Sequence, residues 1–214
     1  MRSKFDEQLD IFANRLIKMG SMCESMLKDV NDMLNTGEEK ISLESCSEKE
    51  YDIFKLGREV ENMGMELLLR QQPVATDLRT ISSAFKIVYD FRRISTQIVE
   101  IREILSIIED KYTLMETDLI PMSNAVMEQM KKGLDSLVTR NETLTLEVIE
   151  DDDIVDSYFD KVKFQLIDAM EKDRSKGEDY INLLMAAKYF EKIGDHAVNI
   201  GETQYFAITG RKAP

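Results

Sequence analysis

At 214 residues the chain is long enough for one or two units with real cores. Its 3 Pro, 9 Gly and 13 Met, with no Trp, favour long helices over a turn-rich sheet. A net charge of −13 excludes free nucleic acid, disfavours direct contact with an anionic bilayer and attracts multivalent cations.

No apolar run approaches the roughly 18 residues of a membrane span, and the opening Met1-Arg2-Ser3-Lys4-Phe5-Asp6 lacks the apolar core of a secretory signal. Two cysteines, one on an apolar seam, imply reduced thiols and a cytoplasmic setting.

The first helix is written in alternating steps of four and three: Phe5, Leu9, Phe12, Leu16, Met19, Cys23, Met26, Val30, Met33. Such a seam lies along other helices over its whole length. Asn35-Thr36-Gly37 ends it. A second helix is expected from Ser42 or Ser47 to Gln71, with Ile53, Leu56, Val60, Met63, Leu67 and Leu68 inward. After Pro73, Thr76 or Asp77 is placed to cap a third helix reaching about Asp110. The polar stretch Glu109-Asp110-Lys111-Tyr112-Thr113 breaks the pattern.

The plan then repeats. Helix four covers Leu119 to Val138 with Pro121 near its start, helix five runs from about Leu144 to Lys172, and Arg174-Ser175-Lys176-Gly177 turns into helix six, ending near Thr209. Phe91-Arg92-Arg93-Ile94 superposes on Phe190-Glu191-Lys192-Ile193, and Val99 and Ile101 on Val198 and Ile200. The expected fold is therefore all-α: two tandem, repeat-related three-helix bundles of antiparallel helices, residues 1–112 and 113–214.

Helix six carries the chemistry. Leu183, Ala187, Phe190, Ile193, Ala197 and Ile200 form its apolar face, and Glu191, Asp195, Asn199 and Glu202 a neighbouring oxygen-rich stripe. Counting back from a turn at Ser175 sets Asp156 opposite Asp195, Asp152 opposite Asn199 and Asp160 opposite Glu191. Two facing acidic stripes repel unless they take up protons or a cation. Carboxylate oxygens suit magnesium, manganese, calcium or iron, and zinc if His196 joins. The same stripe also fits a solvated helix face with Lys188 and Lys192 one turn from acids.

In the first half, Arg92 and Thr96 stand where the repeat puts Glu191 and Asp195, so that half is expected to bind metal weakly or not at all. Counting from the turn there, Asp90 faces Arg58, Glu100 faces Glu48, and Asp52 lies beside Thr96, with Arg92 and Arg93 to neutralise these acids. Gly194 and Gly201 point towards the apolar face and imply close approach of a neighbouring helix.

Arg70-Gln71-Gln72-Pro73-Val74-Ala75-Thr76-Asp77-Leu78-Arg79 and Glu191-Lys192-Ile193-Gly194-Asp195-His196-Ala197-Val198-Asn199-Ile200 resemble the two signature stretches of the PhoU family of bacterial phosphate-transport accessory proteins. The resemblance covers nearly the whole chain and implies the same two-bundle fold. It implies metal ions, iron and zinc among them, at Glu191 and Asp195 and, by motif likeness, Asp152, Asp156 and Asn199.

It also implies a cytoplasmic, homodimeric regulator without catalytic activity. Such a protein links a phosphate ABC transporter, through its ATPase subunit, to a sensor histidine kinase, and represses the phosphate response when phosphate is plentiful. Two other readings are a carboxylate-rich scaffold serving another transporter and a di-metal bundle enzyme. The enzyme reading lacks the Glu-x-x-His pairs such sites use, since Ile193 lies three residues before the sole histidine.

Overall fold

A computed structural model describes residues 2–71, 73, 75–108 and 117–214. They form α1 (Arg2–Thr36), α2 (Leu43–Gln71), α3 (Thr76–Ile107), α4 (Leu119–Thr139), α5 (Glu142–Glu150), α6 (Asp152–Lys172), a 3₁₀ turn (Arg174–Lys176) and α7 (Gly177–Thr209). No strand occurs among the described residues. The expected boundary at 112/113 and the polar break Glu109–Thr113 lie outside them, as do Gln72 and Val74 of the first signature stretch.

Each helix starts and stops for local reasons. Gly37, at φ 71°, takes the left-handed conformation after α1 and donates its N–H to Met33 O at 2.8 Å. Ser42 Oγ accepts the Ser45 N–H at 3.1 Å and so caps α2. Asn141 caps α5 through its side chain. α3 departs from expectation: its N-cap is Ala75, and no side chain caps it. Thr76 and Asp77 are already helical, and Asp77 instead adds a negative charge to the first turn, where the helix dipole favours it.

The fifth expected helix is two. Asp151 is a turn between α5 and α6, and its N–H still reaches Glu147 O at 3.0 Å. The second bundle is thus α4, the broken α5–α6 arm, and α7; the first is α1, α2 and α3. Arg15–Glu59 and Lys49–Asp29 pairs fix α1 and α2 as antiparallel neighbours.

The α3–α7 pair makes the most extensive helix contact, and α1 also crosses to α4. One continuous hydrophobic core therefore runs through both bundles. The repeat is visible in it: Phe91 and Phe190, Ile94 and Ile193, and Ile101 and Ile200 are all buried, each large side chain contributing about 1.5–3 kcal/mol.

Polar groups set the register between bundles. His196 Nδ1 and Asp90 Oδ1 lie 2.8 Å apart between α3 and α7, with Tyr189 and Glu100 in contact two turns away. Between α1 and α4, Ser123 Oγ donates to Asn31 Oδ1 at 2.6 Å, and Asn31 Nδ2 donates to Asn124 Oδ1 at 3.0 Å. Asp90 therefore faces the other bundle and not Arg58.

Candidate metal centre

The acidic groove lies between α6 and α7, and the break at Asp151 sets its geometry. Two side chains of α4 hold that break. Lys132 Nζ bonds Asp151 Oδ2 at 2.7 Å, which raises the lysine pKa. Gln129 Nε2 donates to Val148 O at 3.1 Å and lies 3.4 Å from Asp152 Oδ1. Val148 O is the carbonyl that an uninterrupted helix would give to the amide of Asp152. The Gln129 amide takes that carbonyl and reaches the first carboxylate of the site as well.

Gln129 is fully buried, and its Oε1 has no hydrogen-bond partner. It fits because residue 194 is glycine: a Cβ there would stand 3.0 Å from Gln129 Oε1, 3.3 Å from Val155 Cγ1 and 3.5 Å from Asp152 Oδ1. Gly201 likewise lets α7 approach the backbone of α5, where a Cβ would meet Thr145 O at 3.1 Å.

Four of the five expected oxygen donors lie on the two helix faces that meet here, within electrostatic reach of one another but without converging on one point, in a register about one turn from the sequence count. Among the facing acids, Glu191 acts most strongly on Asp156 and Asp195 next, and Asp152 lies beside Gly194 and under the influence of Asp195. The cause is the corner. Asp173, not Ser175, is the bend: its Oδ1 accepts the Ser175 N–H at 2.9 Å and starts a 3₁₀ turn that runs straight into α7. Asn199 lies exposed one turn beyond Asp195. Asp160 pairs with Lys163 at 2.6 Å instead of facing Glu191. His196 points to the opposite side of α7, to Asp90.

The electrostatics are only partly relieved. Burial raises the pKa of Asp152 above its ordinary value, and Asp156, Asp195 and Asp153 push it further against the lowering effect of Gln129. For Asp156, exposed as a whole, local desolvation acts first, with Glu191 and Asp195 adding repulsion. Lysines compensate only from the rim. Lys192 Nζ bonds Asp195 Oδ2 at 2.7 Å, and Lys188 stands against Glu191. Glu191 Oε2 is nonetheless buried and lacks a well-formed hydrogen bond.

The donor chemistry and surplus negative charge fit a hard multivalent cation. The ligand shell is not closed: among the described residues, no three Asp, Glu, His or Cys side chains converge closely enough to hold an ion. A cation here would draw the carboxylates away from Lys188 and Lys192. Two cavities, of about 490 and 340 Å³, lie elsewhere and include none of these acids.

The first bundle is built differently at the matching place. Arg92 donates from both terminal nitrogens to the two oxygens of Glu61, each at 2.8 Å, and Thr96 Oγ1 donates to Glu50 at 2.7 Å.

Sequence reasoning missed Gln129, which lies on another helix with no local motif. Only its heavy enclosure by apolar neighbours, Val126 and Met130 among them, marks its position as inward-facing.

The PhoU domain family model matches residues 16–105 and 119–203. The chain is 32% identical over 213 residues to the phosphate-specific transport system accessory protein PhoU homologue of Clostridium acetobutylicum, covering 99% of this chain and 97% of that protein. It is 28% identical to the homologue from Borreliella burgdorferi, covering 99% and 98%. The crystal structure of PhoU from Pseudomonas aeruginosa superposes with a TM-score of 0.86 at 25% identity, over 97% of this chain and 100% of that one. Match, identity and superposition extend over both bundles, and the chain belongs to the PhoU family.

Proposed function

We propose that this protein is an accessory regulator of phosphate-specific transport. It works in the cytoplasm as a homodimer and docks on the ATPase subunit of a phosphate ABC transporter and on a sensor histidine kinase. Through that link it represses the phosphate response when phosphate is plentiful. It acts by binding and catalyses no reaction. The observation that carries this reading is the end-to-end match to an accessory protein of phosphate transport. The absence of any helix long and apolar enough to cross a membrane, among the described residues, fits a protein that reaches the bilayer through partners.

In this reading Glu191, Asp195, Asp152 and Asp156 hold a multivalent metal ion (iron, zinc, manganese or magnesium), with Asn199 as a neutral oxygen at the edge. The ion supplies positive charge to a groove whose own lysines reach only the rim. Gln129 orients Asp152, and Lys132 holds the break that aims it.

The test is genetic and chemical. Deleting the gene should raise phosphate-response expression in high phosphate; unchanged expression and uptake would sink the regulatory reading. Protein purified without chelator or histidine tag should carry stoichiometric metal that the Asp195→Asn variant loses. The Lys188 and Lys192 contacts favour a second reading, a scaffold whose acids bind no ion. Metal at background in both proteins would select it.

A further inference from the structure

The two helix pairs α2–α3 and α6–α7 obey one register. In the first, Arg92 sits on Gly57 and Phe85 on Gly64; in the second, Asp152 and Val155 sit against Gly194. With the repeat offset of the sequence, Glu191 corresponds to Arg92, Asp195 to Thr96, Asp156 to Gly57 and Asp152 to Ile53. Every acid of the α6–α7 groove is thus a cation or a neutral residue in α2–α3. The guanidinium of Arg92 fills the space directly. A Cβ on residue 57 would lie 2.8 Å from both Nε and Nη2 of Arg92, so the group rests on the bare backbone of α2. It also lies over the Phe54 ring, 5.7 Å from its centroid. Its side chain is 19% exposed, against 41% and 43% for Lys188 and Lys192.

We propose that Arg92 is the residue that decides which bundle takes a multivalent cation: its guanidinium is a permanent internal cation, occupying in α2–α3 the place an ion occupies in α6–α7. The bidentate pair with Glu61 discharges an acid that would otherwise seek a metal. Thr96 does the same for Glu50 with a hydroxyl proton. One bundle is then locked at all times, and the other only when an ion is bound. This rests on the cation reading of α6–α7.

The experiment is equilibrium dialysis of the full chain against manganese, with bound metal measured by elemental analysis and melting followed by circular dichroism with manganese or with chelator. Replacing Arg92→Glu and Thr96→Asp together, beside the resident Glu61 and Glu50, should about double the manganese bound relative to wild type and enlarge its thermal shift. A folded double variant that binds no more than wild type overturns the proposal.

Arg92→Gln removes the charge alone and guards against a double variant that fails to fold. It should bind more manganese than wild type, because Glu61 loses its partner, though less than the double variant, and should melt lower in chelator. Melting unchanged from wild type in chelator would show that the guanidinium locks nothing, and would also overturn the proposal. Wild type that binds no manganese, and no iron, zinc or magnesium in parallel dialyses, would overturn the α6–α7 cation reading and with it the claim that Arg92 decides where a cation binds, even if Arg92→Gln still melts lower.

Discussion

Asp152 and Asp156 hold their protons more tightly in the folded chain than an ordinary aspartate, because burial and facing acids disfavour the charged form. The folded state therefore keeps protons that the unfolded chain has released. Stability should fall as pH rises from the ordinary aspartate value of 3.8 through the raised ones, and the penalty should persist at neutral pH. Asp152→Asn should raise the melting temperature in chelator at pH 7 and flatten that acid-side slope, and Asp156→Asn should do so less, because solvent screens its exposed carboxylate; melts across pH check both. Two glycines give a contrast in the same assay. Gly20 has no room for a methyl group, since a Cβ would meet Leu134 and Phe91 at 2.7 Å, so Gly20→Ala should destabilise by about 1–3 kcal/mol. Around Gly133 nothing lies within 4 Å, and Gly133→Ala should stabilise by up to about 1 kcal/mol through helix propensity.

At the scale of elements, the broken arm α5–α6 positions the acids. Gln129→Ala removes the donor to Val148 O and Asp152 while opening a small void, and should cost about 1–3 kcal/mol. It should also weaken any manganese-dependent thermal shift, as the same melts repeated with added metal would show. The break was not legible in Glu142-Thr143-Leu144-Thr145-Leu146-Glu147-Val148-Ile149-Glu150-Asp151-Asp152, where the apolar rhythm runs on without Gly or Pro. By contrast the seam from Phe5 to Met33 was legible because one four-three rhythm decides burial along all of α1, and the residues at its steps are buried or half-buried. The facing acids were legible as a group. Their register was not, since it depends on whether the bend falls at Asp173 or Ser175, and Asp173 became the cap of a 3₁₀ turn. Asp90 was assigned the right level and the wrong side, because a count from the turn fixes height along a helix and not azimuth.

Across the whole molecule, the third helix of each bundle finds its largest partner in the other bundle. Ser83, Asp90, Gln97 and Ile101 of α3 are buried although they belong to a nominally separate half. The chain should therefore unfold in one cooperative transition, with far-ultraviolet dichroism and tyrosine emission tracing the same urea curve. Residues 1–108 alone would expose the α7-facing side of α3, and that fragment should give no cooperative transition. Two separate transitions in the full chain would contradict the shared core.

Both cysteines are fully buried and free. Burial pushes the Cys23 thiol far up, and that of Cys46 up to about 11. Neither offers a thiolate to a reagent at neutral pH until its surroundings part. They are built-in clocks: Cys46, near the start of α2, reports fraying at one end of the molecule, and Cys23, at the middle of α1 with its Sγ on Phe91 O, reports opening of the core itself. In native buffer a disulfide reagent should label Cys46 at the faster rate and Cys23 only as fast as the whole chain unfolds. Equal rates would mean that the end of α2 opens only when everything does.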